Sequence, residues 1–488
     1  MLRSTFVLFF FILSIFEVSS QNQIGSDIDG ESAYDMSGYS ISMPDSKNIA
    51  IGAPNAKSGN TSSTNSGHVR VFTFTGGSWL QKGNDIDGLF TADEFGHAVS
   101  MPDSNTLGIG SYKHDGNGSE SGQVQIYKWN GANWVQKGND INGEMAGDWS
   151  GYSISMPDSN TIAIGAPENR GTAIDAGHVR IYRWRNNQWQ IKGTDIDGEA
   201  QGDWSGNAVS MPDSNTIAIG AMANDGQGLN NAGHVRIYSW DGQNWVQKGS
   251  DINGTGVADA SGYSITMPNN NTVAIGAPAH QSNKGEVKVF HWNGSNWNLK
   301  GNSLTGTSIG DFFGHSIAMS NENNIVVGAP KGIGWFPSSG YIKSFSWNGT
   351  SWGPNPITIS AEQTRDGFAS ALAFPDSNTL AIGAFRNNGS SPVSGHVRVF
   401  DLNPITTFTT NRSQKTTFQV FPNPANQLIN IESSVIEKAV LRLYNINGDL
   451  VESLPFRHPS FKLNIEKLSS GVYFLELNGV RKKLIVTE

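Results

Sequence analysis

"SGYSISMPDSNTIAIGAP", Ser150 to Pro167, is written six more times with small changes along the chain, from "SGYSISMPDSKNIAIGAP" at Ser37 to "FASALAFPDSNTLAIGAF" at Phe368. Its central Met156 has counterparts at Met43, Met101, Met211, Met267, Met319 and Phe374, between 52 and 58 residues apart. A fixed period of this size is the signature of a repeat architecture, and seven units fill residues 21–400. Each unit holds four β-like segments in order, which in the third are strand A "GYSISM" at Gly151, B "TIAIGAP" at Thr161, C "GHVRIYRW" at Gly177 and D "WQIKGTDI" at Trp189. Asn-Gly or Asp-Gly joins C to D in several units, as in "WDGQNW" at Trp240, and such dipeptides mark tight hairpins. Four-stranded meanders repeated seven times predict an all-β fold, a seven-bladed β-propeller.

The ends of the array predict how the ring closes. The seventh unit stops after strand C, "GHVRVF" at Gly395, whereas the N-terminal side opens with an orphan D strand, "QIGSDIDG", residues 23–30. Placing that strand in the last blade removes an open sheet edge.

Composition agrees with the pattern. With 57 Gly, 14 Trp and 24 Phe and only 15% charged residues in 488, short strands and tight turns are favoured over long helices. A net charge of -9 has the wrong sign for binding phosphates, which argues against nucleic acid as a partner. Residues 1–20 read as a signal peptide: Arg3, an apolar run from Phe6 to Phe16, then Val18-Ser19-Ser20 as a cleavage site. No other run reaches membrane-spanning length, so no transmembrane segment is expected in the mature chain. The absence of cysteine excludes disulfides, thiolate metal sites and thiol nucleophiles.

Length variation points to the working face. The gap from the strand B Gly to the strand C Gly runs from 9 to 15 residues, while the spacing from the anchor Met to the strand B Gly never changes. In a meander the B–C and D–A loops share one face, so that face is expected to bind and the "MPDSN" face to be structural. On it the copies disagree at the residue after a repeated Asp: Met36, Glu94, Trp149, Trp204, Ala260, Phe312 and Gly367. Trp149, Trp204 and Phe312, with Trp335 and Phe336 of the sixth B–C loop, are the candidate ligand-binding residues, able to stack on sugar rings or anchor a protein; capping of the gaps between blades accounts for them equally well. The repeated Asp35, Asp93, Asp148, Asp203, Asp259, Asp311 and Asp366 read as turn-closing carboxylates. Asp140, Asn142, Glu144 and Asp148 offer oxygens for calcium in one D–A loop but lack the alternating acidic spacing of known calcium loops, so no cofactor is expected. The repeated His68, His178, His234 and His396 occupy one blade position and read as packing residues.

Phe-Gly at the start of strand A ("DEFGHAVS" at Asp93, "DFFGHSIAMS" at Asp311) with "IGAP" at Ile51, Ile164 and Ile275 resembles the FG-GAP repeats of integrin-α-like propellers. That resemblance implies a ligand-binding or adhesion ring. The family's calcium loop between strands A and B does not carry over, because "MPDSN" holds a single acid. After a Thr-rich linker, 401–417, residues 418–488 form a distinct segment with the alternation of a small β-sandwich. "FPNP" at Phe421, "LYNINGDL" at Leu443, "LSSGVYFLEL" at Leu468 and the basic "RKKLIVTE" ending at Glu488 resemble the C-terminal sorting domain of type IX secretion in Bacteroidetes-type bacteria. The resemblance implies handling by that secretion machinery and a place outside a Gram-negative cell, released or on its surface.

Catalytic signatures are sparse. The one G-x-S-x-G, "GTSIG" at Gly306, sits in a D–A loop instead of a strand-turn-helix. The expectation is a non-catalytic module for an extracellular glycan or protein ligand; a polysaccharide-degrading glycosidase or lyase and a structural matrix component are the alternatives.

Overall fold

The computed structural model describes residues 22–57, 65–331, 339–403, 418–433, 439–456, 460–477 and 480–488. The signal-peptide reading of residues 1–20, Trp335, Phe336 and nearly all of the 401–417 segment lie outside them. No described helix is long and apolar enough to cross a membrane. The chain divides into two compact units, Met1–Pro404 and Ile405–Glu488.

The first unit is a seven-bladed β-propeller made of seven antiparallel sheets. In the third blade, strand A (Ser153–Asp158) pairs with B (Thr161–Ala166), and B pairs with C (His178–Arg185). Strand D differs from the single run expected. It is split into Gln188–Ile191 and Ile196–Asp197, both paired to C, with Gly193 at φ 86° between them. At the break Lys192 keeps its backbone bond to Ile181 O at 2.7 Å, while its side chain reaches the next blade, where Nζ donates to Ser214 O and Asn215 Oδ1.

Blade-to-blade contacts explain the repeated phrase. Strand B carries Ile162, Ala163, Ile164 and Ala166, all buried, because the sheet is covered on both faces by its neighbours. Each of the seven propeller core clusters is shared by two successive blades; one joins Ala163, Val179, Ile181 and Ile196 to Met211, Ile217 and Ile219. The invariant Gly of "IGA" serves close approach: a Cβ on Gly165 would lie 2.1 Å from Gly206 O of the next blade. Both serines of "SIS" bridge the same seam, Ser153 Oγ donating to Gly206 O at 2.7 Å and Ser155 Oγ accepting from Met211 N at 3.0 Å.

On the outer rim, Lys137 Nζ lies 5.1 and 5.2 Å from the ring centroids of Trp184 and Trp189, while Trp189 Nε1 donates back to Lys137 O at 2.8 Å. The same arrangement recurs at Lys82, Lys192, Lys248 and Lys300. In the "MPDSN" turn the carboxylate closes its own loop, with Asp158 Oδ1 accepting from Asn160 N at 2.7 Å.

The ring closes through the first residues. Asn22 and Gln23 pair with Asp401 and Phe400, and Ile28 and Asp29 with Val397 and His396. One apolar cluster then joins Ile28, Ala381, Val397 and Val399 to Met43, Ile49, Ile51 and Phe72, so the seventh blade packs on the first.

The second unit is a small β-sandwich. A three-stranded sheet (Phe418–Phe421, Leu428–Ser433, Ser460–Asn464) and a four-stranded one (Leu450–Phe456, Ala439–Tyr444, Gly471–Leu477, Val480–Val486) share a core around Phe418, Ile431, Leu443, Phe456 and Leu475. Asn423 of "FPNP" pins the last strand, donating from Nδ2 to Lys483 O at 2.7 Å and accepting from Ile485 N at 2.9 Å.

Candidate functional site

The D–A loops have one backbone plan. All seven repeated aspartates are buried, and Asp148 accepts N–H bonds from Glu144 at 3.1 Å and Met145 at 2.8 Å. Asp35, Asp203 and Asp311 accept from their own loops likewise, which is turn closure. The next residue is held left-handed in every blade: Met36, Glu94, Trp149, Trp204, Ala260, Phe312 and Gly367 have φ between 52° and 67°. Only one of the seven is glycine. An L side chain pays steric energy there, so the large residues at this position stand out from what the loop alone requires.

Trp149 and Trp204 are half-buried, with ring centroids 6.0 Å apart in an edge contact. Trp149 also stacks on Tyr152 at 6.1 Å, meets Tyr112 edge-on at 5.2 Å and donates from Nε1 to Glu120 Oε2 at 3.2 Å. Phe312 is half-buried in its own loop, apart from this group. The residue after the strand A Gly, or after Ala369 in the last blade, adds one side chain per blade: Tyr39, His97, Tyr152, Asn207, Tyr263, His315 and Ser370. Tyr39 Oη lies 3.2 Å from His97 Nε2 and Tyr263 Oη 3.0 Å from His315 Nε2. Burial pushes both histidines down to about 4 and raises the two tyrosines, so the pairs are neutral across the physiological range.

The oxygens considered for calcium take separate partners. Asp140 accepts from Gln125 and Gln136, Asn142 from Gln123, and Asp148 from its own loop. Glu144 pairs with Arg180 at 3.4 Å.

A cleft of about 290 Å³ opens beside these residues, between the first D–A loop and the second blade. Asp93, His114, Gln123, Gln125, Asp140 and Asn142 line it, with Phe90 and Leu89 exposed at its rim. Its existence follows from one change in strand C. Arg70, Arg180 and Arg236 stretch across the equivalent gap in their blades and donate to Asp29 O, Asn142 O and Asp197 O at 2.6 to 2.8 Å. The second blade reads "GQVQ" where those read "GHVR". Gln125 is too short to cross and instead donates to Asp140 Oδ1 at 2.9 Å, while Gln123 Nε2 donates to Asn142 Oδ1 at 2.9 Å. In the fifth blade, where Lys288 takes the Arg position, a gap of about 330 Å³ opens in the same way.

The electrostatics of the first cleft are unusual. Burial, reinforced by the Asp115 carboxylate, pushes Asp93 up to about 7 against a backbone N–H from Phe90. His114 Nε2 lies 3.9 Å from Asp93, its Nδ1 is buried without a hydrogen bond, and burial lowers its pKa. The Phe90 ring meets His114 edge-on at 5.5 Å. The arrangement offers convergent donors and acceptors beside an aromatic edge, at the lower end of the roughly 300–1,000 Å³ of small-ligand sites. Sequence reasoning missed this cleft, although "GQVQ" against "GHVR" was the available signal.

No curated protein matches the chain. Among solved structures, it is similar to a Bacteroides uniformis protein assigned as a 6-phosphogluconolactonase, at 10% identity and TM-score 0.48, covering 69% of this chain and 89% of that one. It is also similar to a fungal alcohol oxidase of the AA5 family in complex with copper, at 11% identity and TM-score 0.44, covering 95% and 100%. Residues 419–487 match the family described as the secretion system C-terminal sorting domain, which marks the chain for type IX secretion to the cell surface or extracellular space.

Proposed function

We propose that the propeller is a non-catalytic binding ring of the FG-GAP, integrin-α-like kind, displayed outside the cell and holding a glycan on its B–C/D–A face. The observation that carries this reading is the cleft at the second blade, where loss of the crossing Arg leaves six polar side chains around a space the size of one sugar ring, beside Phe90. Amides and carboxylates beside an exposed aromatic ring suit the hydroxyls and C–H face of a pyranose. The neighbouring Trp149 and Trp204 extend the platform.

The test is a glycan array probed with wild type and with Gln123→His/Gln125→Arg, which rewrites the second blade in the form of its neighbours. Wild type is expected to bind a restricted set and the variant to lose it. Identical profiles, or a wild type silent on every glycan, reject the cleft as a sugar site.

Asp93 supports a second reading. A buried carboxyl near pKa 7 in a cleft has the protonation of a general acid at neutral pH. Turnover of a bound glycan that disappears in Asp93→Asn, while binding persists, would move the protein to the glycosidase class.

A further inference from the structure

Among the described residues, four His-carboxylate triads recur beside strand C, and one differs from the rest in its charge balance. In three of them, Glu31–His68–Asp85, Glu144–His178–Asp195 and Glu199–His234–Asp251, an Arg two residues after the His already pairs with the Glu at 3.3 to 3.4 Å. The fourth, Asp27–Asp29–His396, lies at the ring's closing seam. There Arg398 turns to Glu362 at 3.0 Å and keeps only a 3.9 Å approach to Asp27. Two carboxylates thus face one histidine, and the cation that closes the other triads is drawn toward Glu362.

The histidine is buried, 1% exposed, and neither of its ring nitrogens has a hydrogen bond. Its Nδ1 faces Asp27 Oδ2 at 3.5 Å and Asp29 Oδ1 at 3.9 Å, and Asp29 Oδ1 is itself buried and unbonded. These separations are long for hydrogen bonds; bonds of about 2.0–2.2 Å to a tetrahedral ion place neighbouring ligands about 3.3–3.6 Å apart, which the Asp27 spacing meets and the Asp29 spacing reaches by closing a few tenths of an ångström.

We propose that Asp27, Asp29 and His396 bind a divalent transition-metal ion of the zinc class, one nitrogen and two oxygens with the remaining position open to water. Asp29 belongs to the short strand Ile28–Asp29 and Asp27 lies just before it, while the imidazole comes from strand C of the last blade, so the ion fastens the ring where its two ends meet. Side chains at Asp27 and Asp29 are 34% and 41% exposed, which gives the ion a route from solvent.

The experiment takes the mature chain stripped with a chelator, adds zinc, and reads bound metal by mass spectrometry and the melting temperature as zinc rises. Wild type is expected to take up one zinc per chain and to melt higher with each decade of free zinc. Asp27→Asn/Asp29→Asn, which keeps size and shape, should melt at the apo temperature and stay there; Glu144→Gln should respond like wild type. If the double variant does not fold, His396→Gln serves in its place. No zinc-dependent rise in wild type, retention of zinc by the double variant, or equal loss in Glu144→Gln overturns the assignment.

Discussion

The outer rim around Lys137, Trp184 and Trp189 and the cleft around Asp93 and His114 come from one repeat and follow opposite rules. On the rim five successive seams repeat the contact: an ammonium over two indoles and an indole N–H returned to the neighbour's backbone. In the cleft the pattern is broken, with Gln125 in the second blade and Lys288 in the fifth in place of a bridging Arg, and the broken contact becomes accessible space. Repetition here marks where a side chain serves its neighbour blade; deviation marks where it is released from that duty.

The comparison is tested most severely at the closing seam. Removing residues 22–29 takes away the ladder to strand C of the seventh blade and the buried Ile28. A loss on the order of 5 kcal/mol is expected, from one buried side chain at about 1.5–3 kcal/mol plus several hydrogen bonds at about 1 kcal/mol each. Denaturant unfolding would show it; a loss no larger than that from an equal deletion between 404 and 417 would mean the ring does not depend on its latch.

Acid is expected to come next. Burial holds His68, His97, His234 and His315 at about 4 and His178 at about 3, below their ordinary value of 6.5. Between these values the unfolded chain binds more protons than the folded one, so stability present above pH 6.5 is lost as pH falls toward 4. Each histidine contributes roughly 1–2 kcal/mol by pH 5. Asp93, raised to about 7, acts in the other direction, since its ionisation costs stability as pH climbs from about 4 to 7. The five histidines outweigh it. A melting temperature that stays level from pH 7 to 5 would contradict their burial as neutral rings.

How far the sequence carried depends on what each signal measured. Seven copies with one strand order and one hairpin chemistry were enough for the blade count, because an in-register repeat of about 55 residues has few ways to hide its apolar faces. The broken strand D was not legible: the "IKGTDI" stretch alternates like a strand, and the break sits at Gly193, held left-handed where Trp240 and Trp245 of the next blade approach its backbone. At the site, Trp149, Trp204 and Phe312 were found because they are aromatic at a position where the other four copies are not. The cleft escaped notice because Gln for Arg is a quiet change in a strand, and its effect depends on a backbone carbonyl 41 residues away in the case of Arg70 and Asp29.

The rim and the loop face also separate under indole removal. Trp189→Ala deletes a packed ring and its bond to Lys137 O and should cost about 2–3 kcal/mol. Trp149→Ala, with its half-exposed ring and left-handed backbone, should cost under about 1 kcal/mol. Equal losses in denaturant unfolding would mean that Trp149 is structural and belongs with the rim.

The smallest effect is the most discriminating. Gln125→Arg restores the residue that crosses the gap in three other blades, and Asp87 O of the preceding blade stands where Asp29 O, Asn142 O and Asp197 O stand for them. One charged hydrogen bond in a partly exposed seam, set against the lost Gln125–Asp140 contact, should raise stability by under about 1 kcal/mol. A binding cleft kept open at a small cost in stability gives that sign, because a residue chosen for packing alone would leave no gain to recover. Destabilisation by the same substitution would show instead that Gln125 is the better-packed residue, and the cleft would then be a by-product of the second blade's own hydrogen-bond network.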